Sequence, residues 1–161
     1  MSDFFTPHLL LMLLASAVGS VGFAMIYRVA GKYLAIAAVG GTLTYFVYYT
    51  VSFFDAEVFV PSVLSLSFAA LFSEIFAKIK RAPISIFILP CSIPIVPGSA
   101  MYYTMANFIE RDFSSAAYYL NQALGTAIGM AVGSVIVPII WHLCWGTFGY
   151  LSSKRRARRG L

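Results

Sequence analysis

Charge is confined to a few short islands in this chain, and between them lie five stretches apolar enough to cross a membrane. A spanning helix needs about 20 mostly apolar residues. The stretches run over about 8–27, 33–54, 59–77, 83–109 and 123–145. Inside lipid every backbone polar group must be satisfied within the protein, which leaves helices and closed barrels. A barrel needs alternating segments of about 10 residues, and none is present. The expected fold is therefore an all-α integral membrane protein, a bundle of five transmembrane helices. The chain is 60% hydrophobic and 11% charged, where soluble domains carry about 25% charge. Its 161 residues suit a single transmembrane domain over 1–161, ending in a basic tail at 152–161.

The charged islands give an orientation. Arg28 and Lys32 follow the first stretch, Lys78, Lys80 and Arg81 the third, and Lys154, Arg155, Arg156, Arg158 and Arg159 the fifth. With five spans, these ten of the 11 basic residues share one side. The other side holds Asp3, Asp55, Glu57, Glu110, Asp112 and Arg111. The positive-inside rule then puts the N-terminus outside and the C-terminus in the cytoplasm, in a multi-pass protein of the cytoplasmic membrane. The same placement argues against nucleic acid as the target of the +5 net charge, because the basic residues flank spans. No basic residue precedes the first stretch, so a retained helix is expected there rather than a signal peptide. Trp141 and Trp145 suit an aromatic belt at the inner interface, and Pro138 a kink. The segment from Glu110 through Tyr118 and Tyr119 reads either as an interfacial helix or as the start of a long, tilted fifth helix.

The fourth stretch contains Pro90, Pro94, Pro97 and Gly98 within a run otherwise fit to cross the membrane. Proline removes a backbone donor and clashes with the preceding turn. A new half-helix can begin after the Pro97-Gly98 break, near the middle of the span. The N–H groups of Ser99, Ala100 and Met101 would then be unpaired and carry partial positive charge. Transporters use such half-helix starts to hold anionic groups, and a carboxylate is the natural ligand. Pro94, Pro97, Gly98, Ser99, Ala100, Met101 and Asn107 are the candidate substrate-binding residues, with Ser92 and Thr104 adding hydroxyls beside them. The plainer alternative is a merely kinked helix.

Other signals are weaker. Glu74 is a carboxylate inside an apolar run, a coupling candidate, or an interfacial ion pair with Lys78 one turn on. Gly125, Gly129 and Gly133 form a double GxxxG ridge, with Ala127 and Ala131 beside it. Ser16, Ser20 and Ala24, and Ala37 with Gly41, are similar rows. Such rows let helices approach closely, either within the bundle or against a partner. His8 and His142 are lone histidines near interfaces. Cys91 and Cys144 lie in apolar segments without metal-ligand spacing, so no metal or cofactor is expected. The chain has no phosphate-cradling GxxxxGK[ST], no GxSxG and no HExxH, so it is not read as an enzyme or as an ATP-driven pump on its own.

Ile93-Pro94-Ile95-Val96-Pro97-Gly98, followed by Ala100-Met101-Tyr102-Tyr103, resembles the IPxxPG signature of the threonine/serine exporter family. Val21-Gly22-Phe23-Ala24-Met25 is similar to the family's early VGFA-type segment. Length, five spans and a basic end match its small-subunit form, equivalent to the C-terminal half of fused exporters. The family pattern has Pro-Gly where this chain has Pro90-Cys91. The resemblance implies a subunit of a secondary exporter, coupled to an ion gradient, for small carboxylate-bearing metabolites: threonine and serine, or a dicarboxylate such as succinate. It also implies a larger membrane subunit as partner. Self-association is the other expectation for so thin a bundle. A non-transporting scaffold or assembly subunit is the competing reading, but a scaffold needs no break at mid-membrane.

Overall fold

The structure, a computed structural model, describes the backbone of residues 7–54 and 57–159 and the side chains of 9–54 and 57–140. Six α-helices follow in chain order: α1 (Pro7–Ile26), α2 (Leu34–Phe54), α3 (Phe59–Lys80), α4 (Ser85–Ser92), α5 (Gly98–Ile109) and α6 (Phe113–Arg159). Short 3-10 turns occupy Gly31–Tyr33 and Ile93–Ile95, and no strand occurs among the described residues. Leu9–Ile26, Gly31–Phe54, Phe59–Lys80 and Phe113–Ile140 are each long and apolar enough to cross a membrane. Ser85–Ile95 and Gly98–Ile109 pass the same test together, bent by 46° at the break. The architecture is all-helical, with four such spans, or five when the bent pair counts as one.

α3 is the pillar of the bundle and packs against α2, α4 and α6. Its packed side is made of small residues, including Ser62, Ser65, Ala69, Ala70, Ser73 and Ala77. Small side chains let helix backbones approach where lipid gives no hydrophobic push. Two of the hydroxyls find partners at the start of their own helix, whereas Ser67 Oγ donates across the interface to the Gly133 carbonyl of α6 at 3.4 Å. Ser62 Oγ donates to the Val58 carbonyl and Ser65 Oγ to the Pro61 carbonyl, each at 2.6 Å. The outward faces are apolar: Leu10, Leu11, Leu14 and Val18 of α1 are all more than half exposed, which suits a lipid surround.

The glycine ridge of α6 lies against α3. A Cβ on Gly129 would sit 2.8 Å from the Phe59 carbonyl oxygen and 2.8 Å from Ser62 Cβ. One on Gly133 would meet the Val63 carbonyl and Leu66 Cβ, and one on Gly125 would meet Val58 Cγ2 at 3.1 Å. Ala127 and Ala131 face outward. The contacts rise together along both helices, so α3 and α6 run parallel. The chain from Lys80 to Phe113 must therefore travel from one end of α3 back to the other. Ser20 of α1 fits against Gly41 of α2, and Cys91 of α4 against Gly40. This is how α1, α2 and α4 close on each other.

Three helices end in the same way. Arg28, Arg81 and Arg111 take left-handed φ values of 54°, 51° and 64°. The following amides reach back five residues: Val29 to Ala24, Ala82 to Ala77 and Asp112 to Asn107, at 2.9, 3.0 and 2.9 Å. These are Schellman closures. Glycine usually fills that position, and arginine instead places positive charge at the negative end of each helix dipole.

α6 differs from the expected span of about 123–145. It begins ten residues earlier, where Asp112 Oδ1 accepts from Ser114 Oγ at 2.7 Å and Ser115 N–H at 3.2 Å, a helix cap. Of the two sequence readings for this segment, the long helix is the one observed. It continues unbroken through Pro138 and the basic segment to Arg159, about 70 Å at 1.5 Å per residue. The side chains of Trp141, His142, Cys144, Trp145 and the basic tail, like that of His8, lie outside the described residues.

Candidate functional site

The helical run from Ser85 passes through Pro90 and gives way at Pro94 and Pro97. Pro90 sits inside α4, and Pro94 falls in the 3-10 turn Ile93–Ile95. Val96 then turns extended, at ψ 127°, and α5 restarts after Pro97. The three prolines therefore do not share one continuous helical face, as a single fourth helix over 83–109 would require. Ile95 is 5% exposed and clusters with Leu66, Ala69 and Cys91, flanked by Tyr48, Phe72 and Met130. Leu66 and Ala69 lie well inside the 22-residue α3, so Ile95 is held within the bundle.

A pocket of about 190 Å³ opens at this break. Pro94, Ile95, Val96 and Pro97 form one wall, Ser99 and Ala100 the start of α5, and Tyr48, Val58, Gln122 and Thr126 the rest. It brings together Pro94, Pro97, Ser99 and Ala100 of the expected residues. The first bond belonging to α5 runs from Met101 N–H to the Pro97 carbonyl at 3.0 Å. Ser99 and Ala100 N–H precede it, in the part of a helix that has no acceptor of its own. The positive end of the α5 dipole is there too.

Three expected residues behave differently. The Met101 amide is bonded to Pro97, not unpaired, because the helix closes its first turn one residue sooner than supposed; its side chain is 59% exposed. Gly98 N–H is held by the Val96 carbonyl at 2.7 Å. No positive-φ glycine occurs among the described residues, and nothing lies within 4 Å of a Cβ placed on Gly98. The turn is therefore made by Val96 and Pro97 and does not depend on the glycine. Asn107 lies further along α5 and donates Nδ2 to the Tyr103 carbonyl at 2.7 Å. Ser92 and Thr104 likewise donate to carbonyls of their own segment, Leu89 and Ala100.

Glu74 is buried in α3, two turns from Leu66 toward the Lys80 end, and does not line the pocket. No group of three or more His, Cys, Asp or Glu is placed to hold a metal among the described residues. Tyr48, Gln122 and Thr126 were not singled out from sequence. Gln122, a carboxamide beside an apolar run, was the one available signal, since polar groups in spans are costly unless they have work there.

The arrangement offers donors for a carboxylate beside neutral hydrogen-bonding side chains. A family model described as Threonine/Serine exporter, ThrE matches residues 12–140, which include the whole break. The chain belongs to the threonine/serine exporter family. It is thus a multi-pass membrane protein of a transporter family, not of an enzyme family. Comparison with curated proteins and with solved structures gives no match. Within this exporter chain the family signature Ile93–Gly98 coincides with the turn that frees the start of α5.

Proposed function

We propose that the chain is a subunit of a secondary exporter that moves small carboxylate-bearing metabolites out across the cytoplasmic membrane, with the break as its substrate site. The pocket carries this reading. Ser99 and Ala100, whose N–H groups precede the first hydrogen bond of α5, line the same small space as Tyr48, Gln122 and Thr126. The amides suit a carboxylate. Of the side chains, the Tyr48 hydroxyl suits the hydroxyl or amine of a short amino acid, since Gln122 is turned to Tyr118 and Thr126 donates to its own helix. Threonine and serine are favoured over a dicarboxylate such as succinate because no Lys or Arg among the described residues lines the pocket, and a second buried negative charge without a partner is strongly disfavoured.

The reading has five spans, with the N-terminus outside and the C-terminus in the cytoplasm; the parallel packing of α3 and α6 and the basic ends support it. The bent pair then crosses the membrane. So thin a bundle works with a larger membrane subunit of the same family, or as an assembly of copies. Glu74 is a candidate for ion coupling at a distance from the substrate. A scaffold role would leave the pocket without purpose.

The test is efflux from cells that hold the chain in its native genetic setting. Ala100→Leu fills the pocket, and Pro97→Ala lets the helix run on. Both should cut threonine and serine efflux at normal expression, by tenfold or more for Ala100→Leu. Undiminished efflux in both variants would sink the site assignment.

A further inference from the structure

A second pocket, of about 510 Å³, lies between the start of α3 and the first half of α6. Glu57, Tyr118, Asn121 and Gln122 give it a polar wall, and Val58, Phe59, Leu124, Gly125 and Ile128 a broader apolar one. Val58 and Gln122 also line the pocket at the break, so the two spaces meet across that pair of side chains. Gly125 makes room for Val58, whose Cγ2 lies 3.1 Å from where a Cβ would stand.

A polar stripe on α6 joins the pockets. Thr126 faces the break pocket, Gln122 faces both, and Tyr118 faces the second. They are four residues apart, one above another on a single helix face, at steps of about 6 Å. Gln122 Nε2 donates to Tyr118 Oη at 2.8 Å, so its carboxamide is turned from the break pocket toward the second one. The two pockets have opposite chemistry. The inner one presents N–H donors at a helix start, and the outer one presents the Glu57 carboxylate and the carboxamides of Asn121 and Gln122.

We propose that the second pocket is an outer station on the exit path, that it receives the ammonium end of a small zwitterion leaving the break, and that Gln122 with Val58 is the gate between them. The inference rests on the transport reading and deepens it. A zwitterion with its carboxylate at Ser99 and Ala100 finds acceptors ahead of its ammonium group, first at Gln122 and then at Glu57. A dicarboxylate meets the Glu57 charge as repulsion. Selection for zwitterions is thereby made twice along one path.

Two measurements test it. In efflux from loaded cells, Glu57→Gln should lower threonine export about tenfold, the effect of one charge-assisted hydrogen bond, without lowering any succinate export. In a second experiment, Asn121→Cys is placed in a chain carrying Cys91→Ala and Cys144→Ala. A membrane-impermeant thiol reagent added outside intact cells should label it, and threonine should slow the labelling. Threonine export that Glu57→Gln leaves unchanged overturns the outer station, as does labelling of Asn121→Cys that threonine does not slow or that occurs only from the cytoplasmic side. If the unaltered chain exports neither threonine, serine nor succinate, the transport reading itself falls, and this inference with it. Should Glu57→Gln fail to accumulate in the membrane, the labelling result alone decides.

Discussion

At the scale of single residues, the glycines of this chain divide by what surrounds them. Gly129 touches the backbone of α3, and even a Cβ would stand 2.8 Å from the Phe59 carbonyl oxygen. Gly98 stands in open space, and its φ is not positive. Gly129→Leu should therefore force α3 and α6 apart and destabilise the bundle by at least about 1–3 kcal/mol, the usual range for overpacking. Gly98→Ala should be neutral or stabilise by about 0.4–1 kcal/mol, since alanine narrows the unfolded ensemble and fits the native backbone. Thermal unfolding of the purified protein in detergent reads both. Equal effects would show that the contact with α3 is not what matters. The sequence pattern brings out Gly98 and Gly129 equally, one through its proline neighbour and one through its spacing. Only packing tells them apart, because a glycine's role lies in what approaches it.

At the scale of elements, the spans and the break were legible because their signals are local. Long apolar runs read as membrane helices, and Pro94 and Pro97 close together interrupt one of them, whereas the lone Pro138 leaves α6 unbroken. The far wall of the break pocket was not legible. Tyr48 and Thr126 are ordinary residues of apolar helices, and Thr126 Oγ even donates to its own helix, at the Gln122 carbonyl. Only the bend of 46° between α4 and α5 and the parallel course of α6 bring them to Pro97. The start of α6 lay in between: Asp112-Phe113-Ser114-Ser115 is a cap sequence, yet the stretch from Glu110 to Tyr119 reads equally as an interfacial helix or as the start of a long fifth one. That cap gives an element-scale prediction. Hydrogen bonds from Ser115 and Ser114 hold the Asp112 carboxyl at about 2, below its ordinary 3.8. A depressed carboxyl stabilises the fold above its unfolded value and loses that contribution as pH falls through the folded one. The first turn of α6 should thus stay capped at pH 4 and loosen toward pH 2. The carbon chemical shift of the Asp112 carboxyl should titrate near 2 in the folded protein, and a midpoint near 4 would mean the cap is not formed in solution.

At the scale of the whole molecule, one packing contact fixes how the ends of the chain are related. Gly129 meets α3 at Phe59 and Ser62, and Gly133 meets it at Val63 and Leu66, so α3 and α6 point the same way. The bent α4–α5 segment could in principle dip into the membrane and return. In that case Glu110 would lie beside Arg81, and α6 would run opposite to α3. The parallel contact supports the proposed crossing of α4–α5 over a dip. It also brings the end of α6 toward the Lys80 end of α3, so local charge bias and helix packing both support the proposed topology. A dip would instead expose the tail's five basic residues, Lys154, Arg155, Arg156, Arg158 and Arg159, on the side where such residues are rarest. An epitope tag after Leu161 should therefore be reached by antibody only in permeabilised cells, while a tag before Met1 should be reached on intact ones. A C-terminal tag accessible from outside would mean that α4–α5 does not cross, and the break would then open to the cytoplasm alone, as half a transport path.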